Sequence, residues 1–187
     1  MSQFASLANH FLIAMPALAD PNFVRTVTLI CQHNEEGALG IVINRTTNLV
    51  VGDILQQLEL PADESEQAQA PVYFGGPVQT ERGLILHEGD RHFESTLPVG
   101  TSLGLTTSRD ILESMANNDG PRHCLVALGY AGWGSGQLER EISENAWLSG
   151  PTDNDIIFRT AVDERWPKAA AGMGVDLNTM SREAGHA

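Results

Sequence analysis

The segment of residues 132–136, GWGSG, has the residue types and spacing best suited to binding a ligand. An apolar strand pattern at residues 125–128 precedes this segment and an amphipathic helix pattern follows it. Backbone N–H groups and a helix dipole at such a junction suit a phosphate or a carboxylate. The segment has neither the lysine of a P-loop nor the third glycine of a dinucleotide-binding motif, since position 137 is Gln. The alternative is a tight structural turn with Trp133 packed over the sheet.

Two other turns share one feature with this segment, because each follows an apolar strand pattern. They are Asn44-Arg45 and Gly75-Gly76. If the three strand ends align, an amide, a guanidinium, glycine backbone and an indole meet at one rim, which could bind a small anionic or planar ligand. The predicted strand-end rim consists of Asn44, Arg45, Gly75, Gly76, Trp133, Gly134 and Ser135. The alternative is three unrelated turns that each need a positive φ.

Cysteine and histidine offer a different chemistry. Cys31 and His33 lie on one face of a predicted strand, so a redox-sensing thiol at Cys31 is an open alternative. His123 and Cys124 could in principle add two metal ligands, but adjacent strand residues point to opposite faces. The sequence therefore predicts no metal site, and it predicts no cofactor.

Residues 100–104, GTSLG, match the G-x-S-x-G pattern of a nucleophile elbow. That elbow requires a strand before the serine and a helix directly after the second glycine. Residues 105–107 continue as a strand pattern instead, so the context does not favour a hydrolase, and no catalytic residue is predicted.

Composition limits the classes of function. The 187 residues suit one domain, and 24 acidic against 11 basic residues give a formal net charge of −13. Such a charge repels a phosphate backbone, and the basic residues form no stripe, so direct nucleic-acid binding is not expected. Two cysteines and no Lys or Arg in residues 1–9 favour a cytoplasmic protein without a membrane segment, and we expect a monomer.

The elements that must position these residues are read from apolar periodicity. Strands are predicted at residues 10–15, 25–33, 38–44, 72–74, 83–87, 123–131 and 155–158, with extended chain at 93–106. Helices are predicted at residues 53–60, 108–117, 137–146 and 163–173, the last with Trp166 and Ala170 facing inward. Residues 61–71, bracketed by prolines, predict an exposed acidic loop. Strands in hairpin pairs with interspersed helices favour an α+β fold over strict βα alternation.

Four segments in order resemble the YqgE/AlgH family of bacterial proteins over the full chain. They are HFLIAMPALADPNFVRTV from residue 10, GALGIVINR from 37, FGGPVQTERGLILH from 74 and LGYAGWGSGQLEREISENAWL from 128. The resemblance implies a single α+β domain over residues 1–187, with a mixed, mostly antiparallel, curled, barrel-like sheet flanked by helices. Where relatives often have Asn-Arg-Pro, this chain has Asn44-Arg45-Thr46, which implies a less rigid turn.

The resemblance supplies no catalytic set. Some members of the family are described as transcriptional regulators, through a link to alginate production in one branch. The leading hypothesis is a regulator, rather than an enzyme, that acts through a protein partner or a small anionic ligand at the strand-end rim. The alternative hypothesis is an enzyme or redox-sensing protein that works near Cys31, His33 and Arg45.

Overall fold

The computed structural model describes residues 4–61, 66–89 and 91–177. Its strands are His10–Ala14 (β1), Val27–Asn34 (β2), Gly37–Val42 (β3), Thr46–Val50 (β4), Pro71–Phe74 (β5), Val78–Glu88 (β6), Thr96–Val99 (β7), Leu103–Thr106 (β8), Cys124–Gly134 (β9) and Trp147–Pro151 (β10). Its helices are Val51–Gln57 (α1), Asp110–Ala116 (α2), Gln137–Ser143 (α3), Asn154–Phe158 (α4) and Arg165–Gly172 (α5). Short 3-10 helices span Glu66–Gln69 and Val162–Glu164.

Contacts divide the chain into two compact units. The first contains residues 1–44 and 131–187, and the second contains residues 45–130, so β9 contributes its last four residues to the first unit. None of the helices in the described ranges is both long and apolar enough to cross a bilayer.

The first unit is built on antiparallel pairing in the order β10, β1, β2, β3 and the end of β9. Strand β1 is buried over Phe11–Ala14, because apolar side chains on both of its faces are covered. Helix α3 packs on β3 and β10, and α5 packs on β1 and β2. One core cluster joins Leu12, Ala14, Ile30, Ala131, Trp133, Leu138 and Trp147.

The second unit pairs its strands in the order β4, β5, β9, β6, β8 and β7. All of these pairs are antiparallel except β5 with β9. The core of the second unit lies between its sheet and one face each of α1 and α2. The buried residues of this core are Val51, Leu55, Val72, Ile85, Ile111, Leu112, Met115, Ala116 and Val126. Helix α2 thus buries its apolar face, whereas in the α1 region Leu55 is buried and Ile54 and Leu58 are only partly buried against this core.

The α+β class is confirmed, and so are the mixed but mostly antiparallel pairing and the β2–β3 hairpin. The predicted strand at residues 155–158 is wrong, because these residues form α4. Asp153 caps this helix by accepting a hydrogen bond at Oδ1 from Asp155 N (2.9 Å), and Ile156 and Ile157 fill the core from its first turn. The strand of this region is β10 instead.

The region predicted as an exposed acidic loop, residues 61–71, is only partly described. Residues 62–65 lie outside the described residues. Glu66–Gln69 form a 3-10 helix that buries Ala68, and Pro71 already belongs to β5. Because Ala68 is small and apolar, it can be buried within this polar segment when Glu66–Gln69 form one helical turn.

Candidate functional site

A surface cleft of about 580 Å³ lies in the first unit. Pro16 follows β1, Arg25 precedes β2, and the other lining residues belong to residues 163–177. Because β1 and β2 are antiparallel, the end of one and the start of the other meet at the same edge of the sheet. The fold therefore brings three separate parts of the chain to one cleft.

The guanidinium of Arg25 lies over the Trp166 ring in this cleft, with Cζ 5.4 Å from the ring centroid. A guanidinium on an indole face is held by cation–π attraction while its N–H edges stay available. Arg25 is exposed, and within the described ranges its guanidinium makes no hydrogen bond or ion pair. A carboxylate or phosphate can therefore reach its donors.

The backbone of Arg25 adopts φ +57°, in the left-handed region. A residue with a Cβ seldom adopts this conformation, which costs on the order of 1 kcal/mol or more. Asn44 stabilises it, because its Nδ2 donates to Arg25 O (2.8 Å) while its Oδ1 accepts from Val27 N (2.9 Å). The amide of Asn44 thus fixes the direction in which Arg25 leaves the sheet.

Helix α5 is anchored by the two residues at its start. Trp166 Nε1 donates to Ala14 O (3.0 Å), which leaves the half-buried ring to present a face to the cleft. Arg165 is buried, and it donates from Nε to Thr160 O (2.9 Å) and from Nη1 to Ile43 O. The prediction that both Trp166 and Ala170 face inward therefore holds fully only for Ala170, which is completely buried.

The residues of the predicted strand-end rim fall in both units. Asn44, Trp133, Gly134 and Ser135 belong to the first unit, and Arg45, Gly75 and Gly76 belong to the second. A common rim stays a prediction. Several of their polar groups, however, are already used inside each unit.

Trp133 is a core residue of the first unit. It lies within β9 rather than in a turn after it, pairs with Ala38, and is only 6% exposed. Its Nε1 donates to Glu141 Oε2 (2.6 Å), and Trp147 Nε1 donates to the same oxygen (3.2 Å). Two buried indoles thus share one carboxylate, which satisfies both of their donors.

The turn after Trp133 is also closed by internal hydrogen bonds. Gly134 N donates to Gln137 Oε1 (3.0 Å), and Ser135 Oγ donates to Glu35 O (2.7 Å) in the β2–β3 turn. The anion cradle expected from the glycine pattern has therefore lost one N–H to Gln137. These contacts favour the structural alternative for residues 132–136.

In the second unit, Gly75 crosses closely over Gly129. A Cβ on Gly75 would lie 2.3 Å from Gly129 O, and one on Gly129, whose φ is +76°, would lie 2.4 Å from Gly76 O. Gly75 N donates to Leu128 O (2.9 Å), and Arg45 O accepts from Phe74 N (2.9 Å). Glycine is needed here because two backbones touch.

Cys31 is fully enclosed, and burial raises the pKa of its thiol to about 12. A thiol of this kind holds almost no thiolate at neutral pH, and thiolate is the reactive form. Burial also raises the pKa of Cys124 to about 11. Both values argue against a redox-sensing role for these cysteines.

His33 is buried, and both of its ring nitrogens are used. Leu7 N donates to Nδ1 (2.9 Å), so the ring proton lies on Nε2, which donates to Glu139 Oε1 (2.6 Å). The hydrogen bond of Glu139 to its own backbone N–H, and then the one from His33, hold the pKa of that carboxyl below its usual range, although burial opposes them. His33 therefore ties the chain before β1 to α3.

The other motifs do not form sites. Residues 100–102 make the turn between β7 and β8, with Gly100 at φ +63°, so GTSLG is a hairpin and not a strand-to-helix elbow. His123 Nδ1 pairs with Glu88 Oε2 (2.9 Å) at a half-exposed position. Nowhere in the described ranges do three or more His, Cys, Asp or Glu residues converge as metal ligands.

Comparison with known proteins decides the family. The AlgH-like family model matches residues 11–178. The chain belongs to the AlgH-like family. It is 54% identical to a UPF0301 protein of Thioalkalivibrio sulfidiphilus, with all of both chains covered. It is 55% identical to one of Methylococcus capsulatus, over 99% of this chain and 98% of the relative.

Two solved structures share the fold of this family member. The solution structure of the AlgH protein from Pseudomonas aeruginosa matches with a TM-score of 0.79 and 47% identity, and covers all of both chains. The crystal structure of DIP2367 from Corynebacterium diphtheriae matches with a TM-score of 0.76 at 18% identity, over 97% of this chain and 94% of that one, which shows the fold alone. These relatives establish the family of this chain, and they assign it no specific activity.

Sequence reasoning missed the cleft of this AlgH-like chain. It chose Arg45 and Trp133 as the guanidinium and indole of a site, whereas the pair that lines the cleft is the exposed Arg25 and the half-buried Trp166. The signal that could have found it is the segment Asp20-Pro21-Asn22, which indicates a turn directly before Arg25. That turn marks Arg25 as a candidate for an exposed side chain, although apolar alternation placed it at the start of the predicted strand at residues 25–33.

Proposed function

We propose that this protein works by binding rather than by catalysis, as a regulator that takes an anionic group of a small ligand or protein partner in the Arg25–Trp166 cleft. The observation that carries the proposal is the exposed guanidinium of Arg25, stacked on Trp166 at the wall of a 580 Å³ cleft. Clefts of this size are in the usual range for ligand sites, and a stacked guanidinium is a common receptor for carboxylates.

The strained backbone supports the same proposal. A left-handed arginine fixed by Asn44 is maintained against its conformational preference. Such strain concentrates at functional positions, where the gain is a side chain that is already aimed. Asn44 has a part in this proposal, as the residue that positions Arg25.

The alternative redox or enzymatic role near Cys31, His33 and Arg45 has less support. The thiol of Cys31 is buried with a raised pKa, and both ring nitrogens of His33 are occupied. We place the proposed binding function in the cytoplasm, since Cys31 and Cys124 are free cysteines, which suits a reducing compartment.

Titration with benzoate, a planar apolar carboxylate, tests the proposal. The readout is the indole N–H signal of each tryptophan in NMR spectra, with Trp133 and Trp147 as internal references because their rings belong to the core. We expect a saturable shift at Trp166, and a loss of affinity of at least about fivefold in Arg25→Gln.

Arg140→Gln is the matched control, because Arg140 is an exposed arginine of the same unit that does not line the cleft. It should bind benzoate as the parent does. The proposal fails if Trp166 shows no saturable shift up to about 50 mM benzoate, a range that covers even weak ligands, or if Arg25→Gln and Arg140→Gln bind equally.

A further inference from the structure

We infer that Phe23 is a positioning residue for the anion site, and that its packing holds the Arg25 guanidinium over the Trp166 ring. This inference rests on the proposed binding at Arg25 and adds the device that keeps the site formed before a ligand arrives. It also gives Trp133, in the segment 132–136, an indirect part in binding.

Arg25 is the third residue of a turn formed by residues 23–26. Thr26 closes this turn, because its backbone N donates to Phe23 O (3.1 Å) and its Oγ1 donates to the same oxygen (2.7 Å). Arg25 has the left-handed φ of +57°, which glycine usually adopts at the third position of a turn. An arginine does not favour this conformation by itself, so the two ends of the turn must hold it.

The last residue of the turn is fixed to the end of β1. Thr26 is fully buried, and its carbonyl oxygen accepts a hydrogen bond from Ala14 N (3.0 Å). The carbonyl oxygen of Ala14 in turn accepts the hydrogen bond from Trp166 Nε1 (3.0 Å). The backbone of one residue thus holds both the end of the turn and the ring on which the Arg25 guanidinium lies.

The first residue of the turn is fixed by aromatic packing. The Phe23 ring meets the Trp147 ring edge to face, with centroids 5.5 Å apart, and its centroid lies 6.2 Å from that of Trp133. The two indoles are 6.0 Å apart and both donate to Glu141 Oε2, so hydrogen bonds as well as packing hold them in place. Aromatic rings at these separations attract one another beyond the effect of the apolar area that they bury.

Phe23 and Asn44 control different parts of the turn. Asn44 donates to the carbonyl oxygen of Arg25 itself, whereas Phe23 lies two residues earlier and fixes where the turn begins. Without the Phe23 ring, residues 23–25 gain alternative conformations, and only a fraction of the molecules keeps the guanidinium over Trp166. The affinity for an anion falls in proportion to that fraction.

The stacked guanidinium provides the first readout, because it is present without a ligand. An indole ring shifts the NMR signals of protons above its face, so the side-chain protons of Arg25 report the population of the stacked conformation. In Phe23→Leu, which keeps an apolar side chain but not the ring, we expect this shift to shrink by about half or more. Phe23→Tyr keeps the ring and should retain the shift.

Benzoate titration of the same variants, followed at the Trp166 indole signal, provides the second readout. We expect Phe23→Leu to bind about two- to fivefold more weakly than the parent, and Phe23→Tyr to bind as the parent does. Phe23→Met replaces Phe23→Leu if the latter does not fold, because methionine fills irregular apolar space.

Ile142→Ala is the matched control. Ile142 packs against the same core cluster from α3, and it does not line the cleft. Its truncation should lower the free energy of unfolding and leave both the Arg25 shift and the benzoate affinity of the folded protein unchanged. If Ile142→Ala alters both readouts as much as Phe23→Leu does, loss of core packing accounts for the effect and the inference is wrong.

The remaining outcomes separate this inference from the proposed function. If Phe23→Leu binds benzoate as tightly as the parent, Phe23 does not position the site, whether or not the Arg25 shift changes, and the anion site itself stands. If the Arg25 shift shrinks in Phe23→Leu but the parent does not bind benzoate up to about 50 mM, the proposed function fails, and with it the role of Phe23 in binding.

Discussion

At the scale of single residues, the first unit uses similar side chains for opposite purposes. Trp133 and Trp147 turn their indole N–H groups toward one carboxylate of Glu141 inside the core, whereas Trp166 donates to a backbone carbonyl and leaves its ring face to the cleft. Burial and the partner of the N–H decide the role, because an indole whose face is covered by other rings cannot stack on a ligand.

Trp133→Ala should therefore destabilise the protein whatever the function is. Removing a buried indole leaves a cavity and removes one of the donors to Glu141, so we expect a loss of about 3 kcal/mol or more in the free energy of unfolding. Chemical denaturation measures it. Trp133→Phe, which keeps most of the ring but not the donor, should lie between the parent and the alanine variant. An unchanged denaturation midpoint for Trp133→Ala would contradict the core assignment.

His87 in the second unit makes stability depend on pH. Its ring is fully buried, its Nε2 lies 2.7 Å from Thr106 Oγ1, and burial lowers its pKa from the usual 6.5. The unfolded chain then binds the proton first, so the stabilising contribution is complete above pH 6.5 and is lost as the pH falls below that value.

We expect the free energy of unfolding to fall more steeply between about pH 7 and pH 5 in the parent than in His87→Gln, since only the parent carries this titrating ring. Urea denaturation at each pH gives both curves. The difference in slope is the relevant quantity, because carboxylates contribute equally to the two proteins. Parallel curves would show that His87 does not titrate differently in the folded state.

At the scale of elements, close backbone crossings fix where strands run. Gly75 follows β5 and lies against Gly129 in β9, where any Cβ would be 2.3 Å from a carbonyl oxygen. Backbone atoms cannot yield as a flexible side chain does, so this crossing determines the path from β5 into β6.

Gly75→Ala should destabilise the second unit by about 2 kcal/mol or more, through overpacking against backbone. Gly83→Ala is the matched control, because Gly83 lies in β6 and a Cβ there would meet nothing within 4 Å. That control should be neutral or slightly stabilising. Thermal melting of the two variants beside the parent is sufficient, and equal melting temperatures would refute the steric role of Gly75.

At the scale of the whole molecule, charge dominates. A formal net charge of −13 over 187 residues makes association with a polyanion unfavourable, because no counterions are released from the nucleic acid to drive it. The binding that we propose at Arg25 therefore depends on local groups, whose attraction for an anion must exceed the repulsion from the negative charge of the whole chain.

The purified protein should not retard duplex DNA of mixed sequence in a gel at about 50 mM salt, where electrostatic binding is strongest. A charge-matched acidic protein of similar size serves as the control for nonspecific retardation. A shift that is specific for one sequence and weakens as salt rises would overturn this expectation and support direct regulation of transcription.

The sequence by itself determined the class of the fold and most of its elements. Alternation in residues 25–44 predicted the β2–β3 hairpin, and helical spacing predicted α1, α2 and α5 within a few residues. These features depend on the local periodicity of apolar residues, which can be read directly from the sequence. The same reasoning failed at residues 155–158, because two adjacent isoleucines fit a buried strand or a capped helix equally well.

The tertiary structure alone decided which polar residues share a site. The sequence did not show that the Asn44 side chain would donate a hydrogen bond to Arg25 O, 19 residues earlier. Nor did it show that the Trp166 indole would donate one to Ala14 O, 152 residues earlier. Such contacts follow from strand ends that meet at one edge and from a left-handed arginine backbone, neither of which leaves a periodic signal. The physical reason is that composition and spacing fix which groups are buried, whereas long-range packing fixes which exposed groups face one another.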